Sequence, residues 1–212
     1  LGCGRAGAGR KLGGHQLVGR IALFYPGVQR GQQVHRQRVG ARAVQVVAHR
    51  GRGEHAGEAL HLKVYQHHGA LALSDAVPAL ENFGFRVIGE VATSLDQGRL
   101  GTIHDFTLTL DGGEDIDPLL ERSDTIEQAI AAVLNGGAED DAFNRLVVGT
   151  ALAAREADWL RAFYRYLRQA GVGFTIQTVV DALRRAPQVT RPLVALFAAR
   201  HDPEFSGDRE QA

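Results

Sequence analysis

Few of the residues in this chain that could do chemistry share a spacing that would let them act together. Gly2-Cys3-Gly4-Arg5-Ala6-Gly7 fits the G-x-G-x-x-G pattern of a dinucleotide-binding turn. That turn works because a strand delivers it and a helix follows, so that backbone N–H groups meet a pyrophosphate. Here only Leu1 precedes it, Gly9, Gly13 and Gly14 oppose a helix, and no credible acidic partner follows. The match is what a glycine-rich background produces, and no nucleotide site is expected. His61, His67 and His68 could suggest a metal, but metal sites need ligands that converge. Grouped around a strand end, they read as solvent-exposed imidazoles. His104 and Asp105 are strand neighbours and point to opposite faces; they read as a satisfied polar pair at a sheet edge, not an acid/base dyad. Glu139-Asp140-Asp141 could bind a cation, yet a helix N-terminus favours such acids in any case. Arg155, Arg161, Arg165 and Arg168 read as a solvated or intersubunit helix face. Cys3 has no evident histidine partner, so a nucleophile is not expected. No catalytic, cofactor-binding or metal-ligating residue is therefore expected in this chain.

The 212 residues suffice for one domain or two small ones with a real core. Net charge is zero, so the chain as a whole does not advertise a nucleic-acid or acidic-membrane partner. No apolar run approaches a membrane span; Ile21–Tyr25 is far too short. No secretory leader is expected, since no apolar stretch with a small-residue cleavage site follows the basic start. One cysteine excludes an intramolecular disulfide and makes the cytoplasm the default setting. The chain starts with Leu1 and contains no methionine, and we read it as a fragment.

Charge divides the chain in two. Residues 1–60 hold ten basic residues and only Glu54 and Glu58 as acids. Because the totals balance at 24 and 24, the rest carries an equal acidic excess. Gly, Gln and His crowd the first part, whose apolar patches are Leu17–Tyr25 and Val44–Val47. Three readings fit it: a basic arm that touches RNA or an acidic partner, a linker, or a GC-rich gene read out of frame.

From about Leu60 the pattern becomes orderly. Leu62–Tyr65 alternates like a strand. Ser74 offers an N-cap, Asp75 suits a first turn, Val77, Leu80 and Phe83 follow helical spacing, and Gly84 suits the helix end. Phe85–Ile88 reads as a second strand with room to extend toward Ala92, and Asp96-Gln97-Gly98 as a turn. Thr102–Leu110 is the clearest strand, with His104, Phe106, Leu108 and Leu110 on one face. Asp111-Gly112-Gly113 ends it. A helix then runs from Asp117-Pro118 to Leu134, stopped by Asn135-Gly136-Gly137. Asp140 or Asp141 caps the next helix, with Phe143, Leu146, Val147 and Leu152 inward. Ala154–Gln169 forms another, with Trp159, Leu160, Phe163 and Leu167 on one side. Thr175 starts a helix that Pro187 breaks, and a last helix covers about Arg191–Arg200. No strand closes the unit after the second helix.

Read in order, Leu62–Tyr65, Leu73–Ile88, Ile103–Phe106, Ala138–Val148 and Tyr164–Gly171 followed by Phe174 make the stretch from Leu62 to Pro203 resemble the large NAD-specific glutamate dehydrogenases of bacteria. The resemblance implies an α+β fold: a small ACT-like strand-helix-strand-strand unit over 61–135, a helical bundle segment over 136–203, and a frayed tail over 204–212. Residues 1–60 do not share it and are expected to be a poorly structured stretch, with any out-of-frame junction near His55–Leu62. The family's catalytic lysine and nicotinamide-binding fold lie downstream of such material. The chain is thus expected to be a non-catalytic regulatory or scaffold fragment, with NAD the cofactor of the parent enzyme and none here. Its partners would be the remaining domains and subunits and a small amino-acid effector, without membrane or nucleic acid. A stand-alone binding module with a basic arm, or a gene remnant, is the alternative.

Overall fold

A computed structural model of the protein describes residues 44–52, 58–67, 69–110, 116–207 and 209. Alternation builds its sheet. Along Gly101–Leu110 (β4), Thr102, His104, Phe106 and Leu108 are buried on one face, and Asp105 and Thr107 turn to the other. Glu58–Gln66 (β2) does the same with Leu60, Leu62 and Val64. The long hairpin strand Phe85–Leu95 (β3) pairs with β4 and slips register between Val87 and Gly89, a bulge that reverses which residues face the helices. Its turn uses Asp96, Gln97 and Gly98, all at positive φ, as the turn signal at those residues predicts.

Val44–Arg52 (β1) is the fourth strand. All pairs are antiparallel and the order is β1-β2-β4-β3. The expectation of an unclosed unit is corrected here. The strand that flanks β2 precedes it in sequence instead of following the second helix. The expected boundary at residue 60 is corrected too, because residues 44–52 and 58–60 belong to the sheet. The alternation of Val46 and Ala48 with Gln45, Val47 and His49 explains why: Val46 packs into the core from the edge strand.

Two helices cover one face. Leu73–Asn82 (α1) buries Ala76, Ala79 and Leu80. It starts one residue before Ser74, with Ala72 at the N-cap and no side-chain cap, so the expected Ser74 cap is corrected. Gly84 ends it at φ +93°, a left-handed conformation that suits glycine. The helix expected from Asp117 is broken into Asp117–Leu120 (α2) and Ser123–Leu134 (α3). Arg122, at the break, turns away with φ −116° to bond elsewhere. Gly136, at φ +71°, ends α3 as expected.

α3 also anchors the edge strand. Glu127 accepts a hydrogen bond of 2.9 Å from the Ala48 N–H. Burial raises the Glu127 pKa; the Ala48 bond opposes this and nearby Asp124 adds to it. A carboxyl whose folded pKa is raised binds its proton more tightly when folded. The stability it contributes is therefore full below its unfolded pKa and is lost as pH rises through the folded value. Glu127→Gln keeps the acceptor and removes the charge. We expect it to stabilise the protein at pH 7, by under about 1 kcal/mol after solvent screening, and to change nothing at pH values below the ordinary glutamate range. Thermal melts at both pH values check this.

The helical part packs against the same core. A 3₁₀ turn (Ala142–Asn144) leads into Arg145–Gly149 (α4), then Ala154–Gln169 (α5), Ile176–Arg185 (α6) and Pro187–His201 (α7). Phe143, Leu146, Val147 and Leu152 are buried as expected and join the sheet's Leu62, Phe106 and Leu108 in one continuous apolar cluster. Each fully buried side chain of this kind contributes roughly 1.5–3 kcal/mol. Thr175 caps α6 through the Thr178 N–H. Pro187 separates α6 from α7, which starts earlier than expected. Phe197 of α7 makes edge contacts with Trp159 and Phe163 of α5. Leu167, expected inward, is exposed. Among the described residues, no helix is long and apolar enough to cross a membrane.

Candidate functional site

Among the described residues, buried polar side chains gather in three places. The first is the sheet face turned away from the helices. Pairing sets His49 of β1 opposite His61 of β2, and Lys63 of β2 opposite Asp105 of β4. His61 Nδ1 lies 3.0 Å from Asp105 Oδ1, and Lys63 Nζ donates to Asp105 Oδ2. Burial pushes the Asp105 pKa up, but the hydrogen bonds and positive charge of Lys63 and His61 outweigh it and hold the carboxyl below its ordinary value. His61 is therefore not the solvent-exposed imidazole expected; it is mostly buried between His49 and Asp105. His67 is exposed, and His68 lies outside the described residues.

The second place lies on the opposite face. His104 is 3% exposed, and both ring nitrogens are engaged. Nδ1 lies 2.7 Å from Glu90 Oε1, and Nε2 is 3.1 Å from the Leu71 N. The Leu71 N–H must donate, so Nε2 accepts and Nδ1 carries the proton toward Glu90. The neighbours His104 and Asp105 thus serve different partners on different faces, as alternation requires. β4 lies between β2 and β3, so the expected sheet-edge pair is corrected to two separate contacts inside the sheet. His104 holds the loop before α1 onto the strands, which is a structural task.

The third place is the junction of sheet and helices. Arg122 donates to the carbonyls of Val147 and Val148 at 3.2 and 3.1 Å, and Arg191 Nε to the carbonyl of Thr150 at 2.7 Å. These carbonyls end α4, where orphan acceptors and the helix dipole favour cations. Burial and the nearby charge of Arg191 lower the Arg122 pKa. Arg161 is 3% exposed, which corrects its place on a solvated face. Its Nε and Nη2 grip Asp141 at 2.8 and 2.9 Å, Nη2 also reaches Asn144 at 2.9 Å, and Nη1 bonds Asp158. Burial alone would lower the Arg161 pKa; Asp141, aided by Asp158 and Glu139, more than reverses this.

The remaining arginines divide as well. Arg155 pairs with Asp202 and Glu204, Arg165 pairs with Glu139, and Arg168 donates to the Val172 carbonyl. Asp141 caps the 3₁₀ turn through the Phe143 N–H, as expected, and Asp140 accepts from Asn82. The acidic run is thus divided among structural partners. The glycine-rich motif Gly2–Gly7 and Cys3 lie outside the described residues.

Comparison with known proteins follows the same division. A family model described as "Glutamate dehydrogenase, ACT3 domain" matches residues 43–119, and "Glutamate dehydrogenase, helical motif 3" matches 138–203. The first match begins upstream of the resemblance seen at Leu62 and takes in β1. The NAD-specific glutamate dehydrogenase of Pseudomonas aeruginosa is 41% identical over 143 residues, 66% of this chain and 9% of that protein. Its counterpart in Halomonas elongata is 36% identical over 151 residues, 71% of this chain and 9% of the relative. That of Mycobacterium tuberculosis is 32% identical over 142 residues, 64% and 9%. The alignments thus span about a tenth of each relative. Two domain matches in the order of the fold, with three relatives of one name, show that this chain belongs to the NAD-specific glutamate dehydrogenase family.

Proposed function

We propose that this chain is a non-catalytic regulatory and scaffolding portion of an NAD-dependent glutamate dehydrogenase. The whole enzyme would convert L-glutamate and NAD to 2-oxoglutarate, ammonia and NADH in the cytoplasm. This portion would position domains and subunits and transmit a small amino-acid signal. The observation that supports the reading best is the junction. Arg122, at the break between α2 and α3, reaches over to cap α4 of the helical motif. An ACT-type sheet and a helical motif that share a core and a capping arginine can pass a shift in one to the other. The chemistry-bearing side chains His104, Arg122 and Arg161 are all bound to backbone or to neighbouring side chains, which suits support better than catalysis.

The test is direct. Purified chain, mixed with L-glutamate and NAD, is expected to form no NADH above the buffer rate. Turnover that follows the protein through purification would overturn the proposal.

A further inference from the structure

Three strands bring nitrogen and oxygen donors together on the face away from the helices. His49 and His61 stack with ring centroids 5.3 Å apart and planes 20° from parallel. One donor atom from each of His49, His61 and Asp105 lies within 4.8 Å of the other two. We propose that these three side chains form a binding site for a divalent transition cation of the Zn2+ class.

Two imidazoles and a carboxylate suit Zn2+, Ni2+ or Cu2+; they do not suit the hard, oxygen-seeking Ca2+ or Mg2+. Tetrahedral ligands about 2.0–2.1 Å from a metal sit roughly 3.3 Å from one another. His61 Nδ1 and Asp105 Oδ1, 3.0 Å apart, already stand at about that spacing, and no pair of donors is more than 4.8 Å apart, so the widest gap must close by at most about 1.5 Å, which side-chain rotation supplies while the paired strands keep the backbone fixed. His61 has a nitrogen to spare: among the described residues, its buried Nε2 has no hydrogen-bond partner. Leaving such an atom buried and unused is costly, and in native folds it calls for an explanation.

Lys63 shapes the site. The two oxygens of Asp105 are divided, with Oδ1 toward His61 and Oδ2 toward Lys63. A cation would take Oδ1 and leave Lys63 on Oδ2, as an outer partner that orients the carboxylate. The ammonium nevertheless repels the metal, so the site is tuned to moderate affinity. A bound cation would clamp β1, the edge strand, to β2 and β4. It would thereby link the order of this edge to metal supply.

The full chain, stripped with chelator, is to be titrated calorimetrically with ZnCl2 and with NiCl2. We expect one equivalent of metal that is lost, or at least tenfold weaker, in His49→Gln and in His61→Gln. His67→Gln, on an exposed ring, is expected to leave it in place. Lys63→Met is expected to tighten binding severalfold. Should a histidine variant fail to fold, imidazole nitrogen resonances of the unsubstituted chain decide: added Zn2+ must shift those of His49 and His61 and spare those of His104. Absence of that equivalent overturns the proposal. So does binding that survives both histidine substitutions, or nitrogen shifts confined to other rings.

Discussion

Arg161→Ala is expected to cost about 3 kcal/mol of folding stability, read as a fall in the urea midpoint without a change in slope. The guanidinium is buried and donates in four directions, twice to Asp141 and once each to Asn144 and Asp158. Truncation removes one side of a largely buried ion pair and leaves the Asn144 oxygen without its donor. Asp141 keeps its N-cap bond to Phe143 and some contact with water, and Asp158 is largely exposed. That places the cost at the lower end of the range for breaking buried pairs, about 3–5 kcal/mol. The face of the Phe143 ring, 5.8 Å from the guanidinium carbon, loses its cation as well. Arg161→Lys is expected to recover less than half of the loss, since an ammonium cannot reproduce the planar two-pronged grip on Asp141. Full recovery by lysine would mean that charge alone, not the geometry of the fork, holds α5 to the 3₁₀ turn.

Gly101→Ala is expected to have a still larger effect, at least about 3 kcal/mol, and to leave little folded protein at ambient temperature. Two independent constraints meet at this residue. Its φ is +124°, a conformation that residues with a Cβ rarely adopt. A Cβ built there would lie 2.0 Å from the carbonyl oxygen of Gln66, which is backbone and cannot swing aside. Gly101 opens β4, the strand that pairs with both β2 and β3, so relief of the clash would pull the sheet's central pairing apart. Gly98→Ala, by contrast, meets open space and bears only the strain of φ +85°. It should cost about 1 kcal/mol or slightly more. Equal costs at the two glycines, measured by urea denaturation, would contradict the steric argument.

The parts of this fold that were legible in the sequence are those where one periodicity and one stop signal coincide. Thr102–Leu110 alternates cleanly, and Gly84 and Gly136 sit where helices end. β1 was obscured because Val44–Val47 stands among arginine, glycine and glutamine, a composition that hides the alternation of Val46 and Ala48. Strand order was hidden as well, since a strand-helix-strand-strand unit followed by a second helix directs the search for a closing strand downstream, whereas β1 lies upstream. The arginine row shows a different limit. Spacing places Arg161 on the same helical stripe as Arg165 and Arg168, yet only the return of Asp141 against α5 makes it a buried anchor. His49 could not be joined to His61 without the strand register that sets them face to face.

The central claim, that this chain is a regulatory and scaffolding portion of a larger glutamate dehydrogenase, is tested most directly by the coding DNA on both sides of it, translated in all frames. The account predicts an open frame that continues past Ala212 into a domain with a nicotinamide-binding fold and a catalytic lysine. A start codon just before Leu1 together with a stop codon just after Ala212 would contradict it and make the chain a product in its own right.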